Sequence, residues 1–401
     1  MNFYRAHSKT LRSRGLRDGS EGLLMTLESI PVAGNLKRIR EIWESLENYA
    51  NRSYFLSWGW IENWITSLPD HIKPELAVYS KGEEPFLAFF LGKTTLTRKH
   101  LFKSNAWFVN ATGIPEFDRI YIEYNGFLCK HPETLRFTDI LKCLPNTWDE
   151  FYLPGLDAGF FPGIAELDNT LPCKIIMDDD LLSHFVDLDV VRQRGGDYLS
   201  LLSANTRTHI HRSYRLCEQI APVRFEVACD IRSAMDIYHE LVRLHTDRWE
   251  NRRLEGAFSS NYLFQFHSRL IQRRFNDNEI QLLRIKSGDN TLGCLYNFVY
   301  KNSVYFYQSG NNYNLDKRLK PGLLAHVEAI RYNAAIGHKV YDFLGGESRY
   351  KMSLATHHNR LIWIRLQKPL LKFRIENALK RFKYLLARRH SDGRWRPGIP
   401  G

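Results

Sequence analysis

Apolar residues in the first 175 positions alternate between helical and strand spacing. Repeats of three and four residues predict helices over 35–49, 57–68 and 134–144. Short apolar runs bounded by polar residues predict strands at 75–79, 86–91, 107–109, 119–124 and 150–153. The proline-containing stretch 154–175 follows neither period, so we place a domain boundary near residue 176.

The rest of the chain repeats this order of elements in a clearer form. A helix follows Gly196, breaks near Ser203 and continues behind a cap at Asn205. The pattern then predicts strands at 223–228, 279–286, 291–300, 303–310, 339–346 and 360–366. It predicts helices at 231–250, 259–275, 321–337, 349–354 and 370–389. Only the pattern repeats, not the sequence itself.

This order of elements predicts an α/β fold of the α+β type, with a mixed sheet and two tandem domains. The first domain covers 23–175 and the second 176–390. Residues 1–22 are interpreted as a flexible basic tail and 391–401 as a second flexible tail. A length of 401 residues is usual for two domains.

Charge and cysteine usage narrow the functional classes. Lys and Arg total 56 against 44 Asp and Glu, a net charge of +12, which favours an anionic partner such as a nucleic acid, a phosphate-bearing cofactor or an anionic membrane. The six cysteines are scattered without a CxxC pair, as expected of free thiols in a reducing compartment. We find neither a secretory signal nor an apolar run long enough to span a membrane, and we expect a cytoplasmic protein.

A candidate anion site lies where the strand at 303–310 leads into the helix at 321–337. Lys317, Arg318 and Lys320 precede the helix start at Pro321-Gly322. A helix N-terminus offers free N–H groups and partial positive charge, which suits a phosphate, and glycine lets the backbone come close. The same residues also fit an ordinary strand-to-helix loop with solvated lysines.

A second group of chemical side chains surrounds the Gly-Gly turn that ends the strand at 339–346. It consists of Asp342, Glu347, Tyr350 and Lys351. Ligands of α/β proteins usually bind at such strand ends. Each residue also has a structural interpretation, as a strand brace, a loop charge or part of a helix surface.

Two basic stripes and one basic helix complete the candidates. The first stripe holds Arg207 and Arg212 with His209 and His211, and the second holds His245, Arg248 and Trp249. Both fit either a ligand cleft or a solvated helix face. The helix at 370–389 carries an apolar stripe among many Lys and Arg residues, so it either lies on anionic lipid or docks on its own domain.

Several other classes lack their motifs. His239-Glu240 and His245 do not have the spacing of H-E-x-x-H, and the turn at Gly346-Glu347-Ser348 is not a nucleophile elbow. We find no G-x-G-x-x-G after an early strand, no Walker loop and no recognised DNA-binding motif. We therefore expect no metal site and no DNA partner.

The order of elements in the second half resembles the GNAT acetyltransferase fold. Five segments resemble more specifically the CelD-like (cellulose-biosynthesis-type) acetyltransferases, a two-lobed GNAT branch related in fold to the Fem aminoacyl transferases. These segments are 55–68, 202–213, 244–258, 313–337 and 341–355. Against the family's Q/R-x-x-G-x-G/A motif, this chain has Lys317-x-x-Lys320-x-Gly322, with Lys320 in place of the first glycine.

The resemblance implies an acyltransferase that moves an acyl group from acetyl-CoA or another acyl-CoA to an amine or hydroxyl of a sugar or polysaccharide precursor. It implies that the strands at 303–310 and 339–346 diverge to open a slot. In this interpretation Asp342 or Glu347 is the base, Tyr350 protonates the leaving thiolate and Lys351 holds an anionic group. The expected CoA contacts are Ser309, Lys317, Arg318, Lys320, Gly322 and Leu323. The expected acceptor contacts are Arg207, Arg212, His245, Arg248, Trp249 and Tyr307.

Two alternatives stay open at this point. A Fem-like enzyme would take its acyl group from aminoacyl-tRNA, which the positive charge would help to bind. A non-catalytic accessory protein of polysaccharide biosynthesis would keep the fold without the chemistry. Under any of the three, peripheral association with the inner membrane surface is compatible with the basic last helix.

Overall fold

The computed structural model describes residues 25–49, 53–98, 102–132, 137–159 and 173–379. The predicted tails at 1–22 and 391–401 lie outside these ranges, as do most of the irregular stretch 154–175 and the end of the predicted helix 370–389. All structural statements below concern the described ranges.

The strands follow one another along both halves. They are β1 (Met25–Pro31), β2 (Glu75–Lys81), β3 (Glu84–Arg98), β4 (Phe102–Val109), β5 (Leu128–Cys129), β6 (Glu150–Asp157), β7 (Lys174–Asp187), β8 (Val223–Val227), β9 (Ile280–Ser287), β10 (Asn290–Tyr300), β11 (Ser303–Asn311), β12 (Val340–Gly345) and β13 (His357–Gln367).

Helices connect these strands or cover the sheet that they form. They are α1 (Leu36–Glu47), α2 (Trp58–Ser67), α3 (Pro115–Asp118), α4 (Phe137–Cys143), α5 (Leu188–Gln193), α6 (Ala204–Glu218), α7 (Ile231–Glu250), α8 (Asn261–Arg274), α9 (Pro321–Ala335), α10 (Arg349–Leu354) and α11 (371–379).

One mixed sheet runs through the molecule in the order β1-β2-β3-β4-β6-β13-β7-β12-β11-β10-β9-β8, with β5 paired to β3. Each half holds four antiparallel strands in chain order and then one parallel pair, β4 with β6 and β11 with β12. The two halves therefore have the same order of strands. This order starts at opposite edges of the sheet and runs toward the middle in both halves. This confirms the predicted mixed α/β fold with tandem halves.

The halves exchange strands at their junction. β13 comes from the end of the chain but pairs with β6 of the first half, and β7 pairs with both β13 and β12. The boundary predicted near 176 falls inside β7. The division into two domains stays a prediction. Backbone hydrogen bonds of the sheet continue across the predicted boundary.

The halves also share an apolar core. Tyr54 stacks on Phe298 with ring centroids 4.6 Å apart, and Trp60 meets Phe266 edge to face at 5.1 Å. These four side chains are buried in one cluster that draws residues from both halves. Because interiors pack at crystal-like density, this cluster fixes the position of one half against the other.

The strand predicted over 119–124 is wrong. This segment is irregular, and Tyr121 and Tyr124 have φ of 44° and 51°, which extended backbone does not allow. Instead, Asn125 bridges to Leu156 of β6, and its side chain accepts a hydrogen bond from Asn110 at 2.8 Å. The segment is thus held at the junction between the halves, with its side chains next to β12.

Candidate active site

A cleft opens where β11 and β12 part. The two strands pair in parallel only from Ser303 opposite Val340 to Tyr305 opposite Asp342. Beyond that point, 306–309 of β11 and 343–345 of β12 line opposite walls of a cleft of about 920 Å³. The register of β10 against β11 also shifts at Tyr307, which bends β11 at the mouth of the cleft.

The N-terminus of α9 lies at this cleft. Pro321 occupies the first helical turn, and the N-cap residue Lys320 makes no side-chain cap hydrogen bond. Lys320, Gly322 and Leu323 line the cleft. Pro321 has no N–H and the Leu323 N–H donates to the Lys320 carbonyl at 3.0 Å, so the Gly322 N–H and the Lys320 cation are the groups left to attract an anion.

An unpaired polar atom lies against the same helix start. The Oδ1 atom of Asn311 is buried and has no hydrogen-bond partner among the described residues. A Cβ atom added to Gly322 would lie 3.5 Å from the Asn311 side chain, so the two residues are neighbours. Buried polar atoms normally have a partner, so this arrangement fits a bound group that offers an N–H or O–H donor to Asn311 Oδ1.

Glu123 carries the only carboxylate among the described residues that line the cleft. It comes from the first half of the chain, and its Oε2 accepts a hydrogen bond from the backbone N–H of Gly345 in β12 at 2.5 Å. Burial raises the pKa of Glu123 to about 7, against the opposing effects of that hydrogen bond and of Lys351. A carboxyl with this pKa exchanges a proton readily near neutral pH.

Lys351 holds the backbone next to Glu123. Its Nζ donates to the carbonyl oxygens of Leu344 at 3.0 Å and Gly345 at 2.7 Å. Burial lowers the pKa of the Lys351 amine, while Glu123 and Asp342 act in the opposite direction. Leu344 has φ of 60°, a conformation unfavourable for leucine, and these hydrogen bonds help to stabilise it.

Asp342 lies beneath this turn and does not line the cleft. Its buried carboxylate accepts hydrogen bonds from Tyr124 Oη at 2.5 Å, Ser183 Oγ at 2.9 Å and the Leu344 N–H at 2.7 Å. Burial raises the pKa of Asp342, and the three donors oppose that rise. With its acceptor positions occupied, Asp342 positions the turn and cannot reach a substrate.

Glu347, the other carboxylate expected to act as base, is exposed and does not line the cleft. The sequence therefore led to the two acids nearest the Gly-Gly turn along the chain. The geometry favours a third acid, which the fold brings in from the other half.

Tyr350, which the sequence suggested as a site residue, lines the cleft. Its ring stacks on His326 with centroids 5.4 Å apart and an interplanar angle of 16°. Burial raises the pKa of Tyr350, so the phenol keeps its proton at neutral pH. Burial lowers the pKa of His326 to about 3, so this imidazole is neutral, and its Nδ1 accepts from Tyr341 Oη at 3.1 Å.

The second basic stripe faces the cleft. His245, Arg248 and Trp249 all line it. His245 Nδ1 donates to the Ser309 carbonyl and its Nε2 accepts from the Ala257 N–H, both at 3.3 Å. Burial lowers the pKa of His245, so the neutral ring holds the loop after α7 against β11.

Arg248 and Tyr307 add polar groups to the walls. Arg248 donates to Tyr313 Oη at 3.0 Å and lies over the Tyr313 ring at 4.6 Å. The hydroxyl of Tyr307 donates to the Ile120 carbonyl at 3.2 Å and accepts from His267 Nε2 at 3.0 Å. Tyr307 thus ties β11 to the segment that carries Glu123.

Besides Asp342 and Glu347, four basic residues predicted for the site do not line the cleft: Lys317, Arg318, Arg207 and Arg212. Arg318 is paired with Asp316 at 2.7 Å, and Arg207 donates to the Leu202 carbonyl at 2.5 Å. From α6, the cleft instead receives Asn205, Thr206 and His209. Ser203, not Asn205, caps this helix, and of the four residues of the predicted first stripe His209 alone lines the cleft.

The sequence did not predict that residues of the first half line the cleft. Arg119, Tyr121 and Glu123 line the cleft. Their segment carries no motif, and Glu123 is 222 positions away from Gly345. A local sequence pattern cannot predict a contact between residues so far apart in the chain.

The described ranges contain neither a candidate metal site nor a membrane-spanning helix. No group of His, Cys, Asp and Glu there could hold a metal ion. No helix in the same ranges is long and apolar enough to cross a membrane.

Comparison with known proteins agrees with the geometry. Residues 204–352 match the family model Acetyltransf_6, described as an acetyltransferase (GNAT) domain. No functionally curated protein matches the sequence significantly.

Solved structures show the same fold. The crystal structure of FemX aligns with a TM-score of 0.53 and 9% identity, over 80% of this chain and 95% of that one. A tandem GNAT protein of the clavulanic acid biosynthesis pathway aligns with a TM-score of 0.47 and 11% identity, over 86% and 99% of the chains. The predicted resemblance to the CelD-like acetyltransferases is thus confirmed, and residues 204–352 form an acetyltransferase domain of the GNAT superfamily within a tandem GNAT fold.

Proposed function

We propose that this GNAT acyltransferase moves an acyl group from acyl-CoA to an amine or hydroxyl of a sugar or polysaccharide precursor, with Glu123 as the base. One observation carries the proposal. The cleft between the diverging strands β11 and β12 has an uncapped helix N-terminus on its wall and a single carboxylate of near-neutral pKa. Those are the groups that anion binding and proton removal require.

The donor would be held by groups on β11 and α9. Lys320 supplies a positive charge, Gly322 lets the helix backbone come close to a phosphate, and Ser309 and Leu323 complete this wall. When bound, a CoA thioester supplies an activated acyl carbon whose C–S bond breaks as the bond to the acceptor forms. The unpaired Asn311 Oδ1 offers an acceptor for an amide N–H of such a donor.

Glu123 would remove the proton of the acceptor. An attacking amine must be neutral, and a hydroxyl must lose its proton during attack, so a nearby base speeds both reactions. The Gly345 N–H holds one carboxylate oxygen of Glu123, and Lys351 fixes the backbone that provides this N–H. The other oxygen is available for the acceptor.

Tyr350 would supply a proton to the leaving thiolate. Its raised pKa keeps the phenol protonated, and stacking on His326 fixes the ring. In each turnover Glu123 gains one proton and Tyr350 loses one, so the total number of protons on the protein does not change.

Aromatic side chains support a sugar as the acceptor. Tyr121, Trp249 and Tyr313 line the cleft, and two of them, Tyr121 and Tyr313, are exposed. Aromatic rings present an apolar face to the C–H face of a sugar, while Arg119 and Arg252 offer donors to its hydroxyls.

Calorimetry with CoA and acetyl-CoA tests the donor site. Gly322→Ala is expected to weaken CoA binding about tenfold, because the added methyl group keeps a phosphate away from the helix start. The methyl group makes only an ordinary contact with Asn311, and alanine favours a helix, so stability is expected to hold. Lys320→Ala should weaken binding in the same direction.

Lys317→Ala serves as the matched control, because Lys317 is exposed and outside the cleft. The affinity of this variant for CoA should equal that of the wild type. The proposal fails if the wild-type protein binds neither ligand at millimolar concentration. Steeply salt-dependent tRNA binding in that case would favour an aminoacyl-tRNA donor.

A further inference from the structure

Helix α11 is attached to the first half by one face. Phe373 and Glu376 are buried, and Glu376 accepts a hydrogen bond from Arg98 Nε at 2.7 Å. Lys372 Nζ also pairs with Asp149 at 2.6 Å. The described part of the predicted helix 370–389 therefore docks on the first half of the chain, and not on its own second half as one of the two alternatives expected.

A second face of α11 is apolar and exposed. Leu371 is 70% exposed, Ile375 is 40% exposed and Leu379 is 48% exposed. At about 100° per residue, positions four apart form a row along one side of a helix, and this row is turned away from Phe373, with Glu376 between the two faces. We call these three residues the outer row.

The outer row differs from the other exposed apolar side chains. Ile220 and Ile336, for example, are exposed singly at helix ends, as is common in folded proteins. Three large apolar side chains in a row on a docked helix have no such ordinary explanation, and an apolar row of this kind marks an interaction surface.

Charge indicates the partner. Arg374 is exposed on the same helix, next to the outer row. In the sequence, the ten positions 380–389 hold five Lys or Arg residues and no acid. An exposed apolar row with adjacent cations is the pattern of helices that lie on anionic lipid.

We infer that the outer row of α11 binds the surface of an anionic membrane, which the proposed acyl transfer does not require. A second copy of this chain fits less well, because pairing through the outer row would bring the exposed Arg374 residues of two copies together. Three side chains also provide much less than the roughly 1,000 Å² that a stable protein interface needs.

Sedimentation of the full-length protein with lipid vesicles tests this inference. Wild-type protein is expected to sediment with vesicles of phosphatidylcholine and phosphatidylglycerol, and at least tenfold less with phosphatidylcholine alone. Ile375→Glu should reduce binding to the anionic vesicles at least tenfold, because it places a negative charge in the outer row. Ile336→Glu makes the same change at a single exposed isoleucine and should bind like the wild type.

Three outcomes would overturn the inference: wild-type protein that stays in the supernatant at low salt, Ile375→Glu protein that binds like the wild type, or light scattering that shows a dimer dissociated by Ile375→Glu. Circular dichroism and CoA affinity of the Ile375→Glu protein should match the wild type. A failure of lipid binding is thus distinguishable from a failure of the donor site.

Discussion

Replacing Glu123 by Gln is expected to lower kcat of acyl transfer by a factor on the order of 10²–10⁴, the usual contribution of a general base. The Gln side chain keeps an oxygen that can accept the Gly345 N–H, so the turn and the CoA affinity should persist. Release of CoA thiol from acetyl-CoA, with a set of amino sugars as acceptors, measures the rate. Calorimetry measures the affinity.

The pH profile gives a second readout of the same residue. Glu123 acts as a base only when ionised, so the wild-type rate should rise with pH and reach half its maximum near pH 7. Glu123→Gln should lose this step. The folded-state pKa lies above the ordinary value of 4.5, so ionisation reduces stability as pH rises through about 7. The Gln variant is therefore expected to be no less stable at pH 8, and its low rate will not reflect unfolding.

Glu347→Gln is the matched control for the charge change. Glu347 is exposed and outside the cleft, so this variant should retain the wild-type rate and pH profile. If Glu347→Gln loses the rate while Glu123→Gln keeps it, the base is Glu347, one of the two acids that the sequence suggested.

Removing the Asp342 carboxylate is expected to destabilise the fold strongly. Asp342→Ala leaves Tyr124 Oη, Ser183 Oγ and the Leu344 N–H without their buried acceptor. Each unsatisfied buried donor costs about 1–3 kcal/mol, so the free energy of unfolding should fall by about 3 kcal/mol or more. Urea titration followed by tryptophan fluorescence measures the change.

Asp179→Ala is the control, because Asp179 is exposed on β7 and its loss should change stability by less than about 0.5 kcal/mol. Asp342→Asn separates a positioning role from a catalytic one. The amide keeps the shape and one acceptor oxygen, so we expect a smaller loss of rate than with Glu123→Gln. A loss as large as that of Glu123→Gln, in a protein that remains folded, would make Asp342 the base.

Local patterns correctly predicted most elements of the second half. The prediction of a helix over 231–250 matches α7, and the hairpin turn predicted at Lys301-Asn302 has the positive φ angles of 45° and 64° that tight hairpins use. These features depend on residues that are close together in the chain, so they can be predicted directly from the sequence. The helix start at Pro321 follows from the same kind of local rule.

The sequence by itself thus determined the fold class and most elements of the second half, and it pointed to Lys320, Gly322 and Tyr350, which line the cleft, whereas it did not predict strands β1 and β7. Only the tertiary structure decided which acid faces that cleft. Glu123 reaches β12 because a core shared by the halves holds its irregular segment there, while Asp342, on β12 itself, faces buried donors. The physical reason is that a side chain's direction and burial depend on contacts between residues far apart in the chain, which no local pattern contains.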